Sequence, residues 1–492
     1  MTIFAVPASK QYTTAAPAYQ TEPKAVRNLE GVIPKVAALT AGAAAVNITP
    51  PVGVDLCGYG GRAGPSSGIH DELYAKALYL CGGEQGDAAS SAREAHSQAG
   101  QALVITCDLI GLDYDSVAVV REGLARATGL GAEQVMIGCS HTHSGPVTPC
   151  LPTMGKLDEN YFEILLQQLV SVGELAYGRA QEAWVGHNRE PVAVGFNRRE
   201  VSWPRVAEPV PEKGTILPHV DVLVVNGADG PLARLFVHPA HGVTLGGDNL
   251  LISADWMGYA QRFVEQLEAG CVALFGQGCC GNINSDPRGS FEIAETQGRA
   301  MAGAVIKATE LAEMTKDVGI AVAREQLRLP CADPPSVAEA QEALQQAEAD
   351  LEKARQQQQY GNMIFYEGMV KWARWLVEMS QKQATGLAID YEVQGFRIGD
   401  FALVGLPGEV FVEYATNLEG RSPFQQTAVM AYTNGNPGYI PTAAAYARGG
   451  YEVEGAYRFY GGGYTMITAD SERLILDAAE QVLGRLLGGG TQ

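Results

Sequence analysis

Short apolar runs that break off at a glycine-containing polar turn recur along this chain, and they constrain its fold more than any other feature. QVMIGCS (134–140), PHVDVLVVNG (218–227), ARLFVHPAHG (233–242), CVALFGQG (271–278), YEVQGFRIGDFALVGLPGE (391–409) and TAVMAYTNG (427–435) all have this form. Runs of this length, rich in Val, Ile and Phe, read as buried strands. ALVITCDLIGL (102–112) is another, and SVAVVREGLARATGL (116–130), which follows it, has helical spacing instead. The strand–helix–strand order predicts an α/β fold with mixed β-sheets flanked by helices. Functional residues then belong on the polar loops at the strand ends, held by a rigid sheet.

One segment departs from the pattern. Residues 334–383 run in Ala, Glu, Gln, Lys and Leu from a Ser336 cap answered by Glu339, break at Tyr360–Gly361 and resume as an aromatic-rich stretch. The spacing predicts a helical hairpin inserted into the α/β body, either a packing appendage, a lid or an arm for homo-oligomer contact. Residues 1–40 lack a basic start followed by an apolar core. They read as an N-terminal arm rather than a secretory signal, with a domain over 41–492 and a cytoplasmic location expected.

Charge excludes some partners. With 35 basic against 55 acidic residues and a net charge of −20, the chain is a poor match for nucleic acid or an anionic membrane surface. No apolar stretch approaches the roughly 20 residues of a spanning helix, so no integral membrane segment is expected. The nine cysteines, an odd number among apolar neighbours, read as buried reduced thiols.

Histidine supplies the chemistry. In GCSHTHSGPVTP (138–149), His141 and His143 alternate along an extended loop and so face one side, as a polar cluster or as half of a metal site. A second pair, His238 and His241, follows another strand, and Glu409 in GLPGEVF offers a carboxylate after a third. Two histidine loops and a carboxylate loop suffice for a catalytic zinc, which leaves a position open for water.

These motifs, in order, carry a resemblance. SHTHSGP, HPAHG with NLLISADWMGYA, GQGCCGNINSD, GLPGEVF and TNGNPGYIPTAAAYARGGYEVEGAY resemble the neutral ceramidase family, as does ITPPVGVDLCGYGGR with GIHDELYAKAL upstream. The similarity covers Ala41 to Arg473, with the hairpin as an interruption. It implies a metal-dependent amidohydrolase with one zinc held by His141, His241, Glu409 and Tyr439. It further implies His143 beside the water or the substrate carbonyl, Arg198 positioning substrate, and Tyr451 donating to the developing oxyanion. The chain departs from the family in two places. Asn284 stands where ceramide-cleaving members carry a serine, with Ser285 next to it, so attack by metal-activated water is favoured over a covalent serine mechanism. The C-terminal β-sandwich domain of those members has no counterpart after SERLILDAAEQVLGRLLGG.

The resemblance therefore predicts hydrolysis of a small-molecule N-acyl amide. An esterase, lactonase or cyclic-amide hydrolase, and a catalytically silent binding or assembly protein, are the alternatives. Of the remaining candidates, His70 reads as a turn residue, His238 as core, Asp255 as an acceptor orienting a ligand histidine, and Cys279–Cys280 as packing residues. The glycine-rich GYGGRAG and YGGGYT read as turns shaping a pocket.

Overall fold

Alternating strands and helices bury their apolar faces in four layers. The computed structural model describes residues 36–84, 100–460 and 463–488. Its main sheet has eight strands, ordered Val272–Gln277, Gly230–His238, His219–Gly227, Gln181–Pro191, Val36–Asn47, Tyr74–Glu84, Gly100–Cys107 and Val135–Cys139. A second sheet has four, ordered Ile320–Pro330, Ala388–Ile398, Phe401–Gly405 and Gln426–Met430. The two sheets share a core in which Leu78, Val104 and Leu235 of the first meet Phe396, Leu403 and Met430 of the second. Helices Glu159–Gly178, Asp255–Leu267 and Phe291–Glu310 cover the outer face of the large sheet, and Ser471–Gly488 covers the small one. This is the expected α/β architecture with mixed sheets flanked by helices.

Within these two sheets most pairings are antiparallel, but three are parallel: Gly100–Cys107 with Val135–Cys139, Gly230–His238 with Val272–Gln277, and Phe401–Gly405 with Gln426–Met430. Parallel neighbours end on the same edge of a sheet, so their loops collect there. Those loops contain His141, His241, Glu409 and Tyr432.

The first strand begins at Val36, so residues 36–40 belong to the sheet. The rest of the arm expected over 1–40 lies outside the described residues. All nine cysteines are free and buried, in keeping with the reduced-thiol reading. No helix among the described residues is long and apolar enough to cross a membrane.

The hairpin consists of Val337–Gln356 and Tyr360–Gln381, packed through Leu351, Val370, Trp372 and Leu376. Its start is the expected reciprocal cap, with Glu339 N–H donating to Ser336 Oγ (3.3 Å) and Ser336 N–H to the Glu339 carboxylate (2.9 Å). The break, expected at Tyr360–Gly361, lies earlier, over residues 357–359. Gly361 sits inside the second helix for a different reason: a Cβ there would stand 2.5 Å from the Arg62 backbone. The glycine lets the helix lie directly on the GYGGR loop, and Gly361 N–H donates to Arg62 O (3.1 Å).

Candidate metal centre

Each histidine loop is fixed by main-chain hydrogen bonds before its side chain does anything. His141 has a left-handed backbone (φ 60°), which costs a non-glycine residue energy unless its surroundings enforce it. The segment after Gly100–Cys107 enforces it from two sides. His141 N–H donates to Leu109 O (2.9 Å), and its Nδ1–H donates to Ile110 O (2.7 Å). His241 is held in the same way, its Nδ1–H reaching Cys280 O (2.6 Å) and Ile283 O (3.0 Å). The two loops are joined by the bridge Thr142–Gly242, and Gln277 donates to both Ser140 O and Ala240 O, while His241 also bridges Asn284.

With both Nδ1 atoms committed as donors, both Nε2 atoms carry lone pairs. They converge on Glu409 Oε2, His241 Nε2 at 3.1 Å and His141 Nε2 at 3.4 Å. Bonds of about 2.0–2.2 Å to a tetrahedral zinc imply about 3.3–3.6 Å between neighbouring donor atoms, so the spacing suits such an ion. Tyr439 arrives beside Glu409 by register. The two residues are partners in a two-residue parallel ladder, Glu409–Val410 with Tyr439–Ile440, so their side chains leave the same face.

The electrostatics point the same way. Burial lowers the His241 pKa to about 4 and that of His143 well below its usual value, which keeps these imidazoles neutral. Burial pushes the Glu409 carboxyl up, and only positive charge at the His141 and His241 nitrogens facing it outweighs this, a charge that a cation between them would supply. Glu409 is only 2% exposed, and no lysine or arginine among the described residues pairs with it. A buried carboxylate without a counter-charge is costly, whereas a dication among these donors would compensate it. The residues present therefore fit a zinc ion.

His143 lies against this group, its Nε2 3.2 Å from His141 Nε2, with its buried Nδ1 lacking a partner. His141, His143 and His241 offer ligand atoms within 4.8 Å of one another. The GYGGR turn shapes the wall behind His143 as expected. Arg62 donates to His143 O, and Gly58 (φ 96°) leaves room for the imidazole, which a Cβ would meet at 2.4 Å.

Arg198 donates to Tyr439 Oη (3.1 Å), Asn284 Oδ1 (2.9 Å) and Gly281 O (2.7 Å), and pairs with Glu452 (3.0 Å). Asn284 thus anchors Arg198. Ser285, next along the strand Ile283–Ser285, points the other way and accepts from Thr244 (3.0 Å), so it does not stand in for the missing hydroxyl. Tyr451 sits at the rim, half-exposed, its ring 5.7 Å from that of Tyr439.

Several residues land elsewhere. His70 stacks on Phe291 at 3.7 Å, and His238 is a core residue donating to His219 O (2.8 Å). Asp255 accepts from the N–H groups of Leu245 and Trp256 and touches neither His141 nor His241; main-chain carbonyls orient those instead. Cys279 and Cys280 are buried thiols, raised by burial, as packing residues would be. Three contributors escaped the sequence reading. Tyr432, also with positive φ, stacks on His141 at 4.2 Å and reaches Glu409 Oε2 (3.5 Å). Tyr460 donates to Glu409 Oε1, and Glu452 binds both Arg198 and Arg199. The turn motifs in TAVMAYTNG and FYGGGY marked loops there, but nothing local tells a site tyrosine from a packed one.

No family model matches this chain, and no curated protein sequence does. Solved structures do. The neutral ceramidase of Pseudomonas aeruginosa superposes with a TM-score of 0.66 at 20% identity, over 91% of this chain and 75% of that one. The chain has the neutral ceramidase fold. A ceramidase solved in complex with C2 gives a TM-score of 0.68 at 19% identity, over 92% and 76%. The neutral ceramidase resemblance read from SHTHSGP through GYIP and the likeness of fold thus agree.

Proposed function

We propose that this protein is a zinc-dependent hydrolase that cleaves the amide bond of an N-acyl substrate with water. The observation that carries the reading is the buried Glu409 carboxylate, met by two imidazole nitrogens and, among the described residues, by no lysine or arginine. That the solved neighbours are ceramidases supports amide hydrolysis. His141, His241, Glu409 and Tyr439 would hold the ion. A bound zinc lowers the pKa of water toward neutrality and polarises a carbonyl oxygen.

The chain's own groups supply the rest. His143 is neutral and buried, with its Nε2 turned toward the proposed ligands, and is available to take a proton from the attacking water and return it to the leaving amine. Although the residue is half-exposed, desolvation on its inner side and the nearby Glu409 charge raise the Tyr451 pKa, so its phenol stays protonated as a donor to oxygen that gains charge. Arg198, fixed by Asn284 and Glu452, holds Tyr439 and lines the approach.

Metal analysis of the purified protein beside His141→Ala, with a panel of N-acyl amides, esters and lactones, tests the proposal. Near-stoichiometric zinc, lost in the variant together with amide turnover, is the expected result. Turnover of esters or lactones but not amides would move the assignment to a different bond. Absence of metal from both proteins would leave a binding protein.

A further inference from the structure

A cavity of about 640 Å³ lies between the second hairpin helix, the loop after the HTH motif and the segment around Arg458. Small-molecule sites typically enclose about 300–1,000 Å³. None of the eight residues placed in the metal centre at the sequence level lines it, yet its inner wall is Tyr460, which holds Glu409.

The lining is sorted by chemistry. Trp372, Trp375, Ile364, Val147 and Leu157 give it an apolar wall. Trp372 is fixed by its indole N–H to Tyr464 O (3.3 Å). Toward solvent stand Lys156 and Lys371, both exposed, with the half-buried Arg458. Among the described residues none of these three forms an ion pair with a carboxylate. Lys156 lies over the Tyr360 ring (5.6 Å), and Arg458 lies over Trp372 (5.2 Å) with its buried Nε unpartnered. The two wall carboxylates have other surroundings: Glu367 pairs with Arg355 (3.3 Å), and Glu159 occupies the first turn of its helix, where the N-terminal amides favour it. In a chain carrying 20 more acidic than basic residues, three unpaired cations around one cavity are a local reversal of charge.

We infer that this cavity binds an amphipathic anion: an aliphatic chain lies inward along Trp372 and Trp375 toward Tyr460, and a terminal carboxylate or phosphate meets Lys156, Lys371 and Arg458 at the mouth. Binding here requires neither the metal nor the proposed hydrolysis.

The test uses the full chain after treatment with a chelator, titrated with dodecanoate, dodecyl phosphate and dodecanol, and read by tryptophan fluorescence and calorimetry. Dodecanoate or dodecyl phosphate is expected to saturate a single site at least tenfold more tightly than dodecanol, and comparing the two anions decides which head group fits. Lys371→Glu, at an exposed position where folding is retained, should weaken the anions at least tenfold and leave dodecanol unchanged. Equal affinity for dodecanol, or an unaltered Lys371→Glu variant, would overturn the inference. So would anion binding present before chelation and absent after it, because the anion would then sit on the metal. Loss of hydrolysis in His141→Ala bears only on the enzymatic reading.

Discussion

Two clusters in this molecule use the same residue types and reach opposite solutions. One gathers His141, His143 and His241 around Glu409; the other gathers His219, Asp221 and Glu419. In the second, Arg189 occupies the centre, its Nε 2.7 Å from Asp221 and a terminal nitrogen 2.9 Å from Glu419, with His219 3.4 Å from Glu419. Both of its carboxylates thus have an internal cation as partner. In the first, the partners of the carboxylate among the described residues are imidazoles and phenols. Proximity of histidines and carboxylates therefore does not by itself mark a metal site. What distinguishes one is the absence of an internal cation together with ring nitrogens already turned by main-chain acceptors.

The strongest way to break this comparison is to empty the first cluster. His141→Ala or Glu409→Ala should remove the zinc and lower kcat/KM for an amide about a thousandfold or more, some 4 kcal/mol, with circular dichroism unchanged. Retention of metal by Glu409→Ala would show that the carboxylate is not needed. In the second cluster the effect should fall on stability instead. Arg189→Met leaves Asp221 and Glu419 without their guanidinium and should cost about 2–4 kcal/mol of unfolding free energy, less than a fully buried pair because Arg189 is partly exposed. Denaturant midpoints would record it, and zinc content should not change.

His238 joins the two regions, donating to the carbonyl of His219 three residues before His241. Burial lowers its pKa to about 4 from an unfolded value of about 6.5. The unfolded chain then binds more protons between these values, so stability is complete above pH 6.5 and is lost as pH falls toward 4, by up to about 3 kcal/mol. Melting temperatures of the chelated protein across that range, beside His238→Asn, check the sign. A slope unchanged by the substitution would assign the loss to other groups. The smallest expected effect is at Tyr460→Phe, which removes the hydroxyl on Glu409 Oε1 and should weaken zinc affinity about 10–100-fold. Competition with a chelator of known affinity would measure it.

Local chemistry was legible in the sequence where it was written locally. The strand runs, the Ser336–Glu339 cap and the histidine and glutamate loops are each specified within a few residues, and the structure has them where the spacing puts them. Tyr432 and Tyr460 were not legible, because nothing nearby in the chain distinguishes a tyrosine that touches Glu409 from one that fills core. Asp255 misled for a related reason: an acid near a histidine suggested an orienting role that the Ile110 and Cys280 carbonyls perform. Main-chain groups carry no mark in the sequence. Gly361 was read as a helix break when the helix in fact contains it, since the approach of Arg62 is a contact across some 300 positions of chain. Strand order in the eight-stranded sheet likewise depends on such distant contacts.

The two-residue ladder that pairs Glu409 with Tyr439 has a consequence for inheritance. A carboxylate and a phenol are set side by side by amide-to-carbonyl bonds between adjacent strands, and any residues at the flanking positions can make those bonds. The histidines are likewise aimed by peptide oxygens. A cluster addressed by the main chain does not depend on the side chains around it, so those can change while the ladder keeps this carboxylate and phenol side by side.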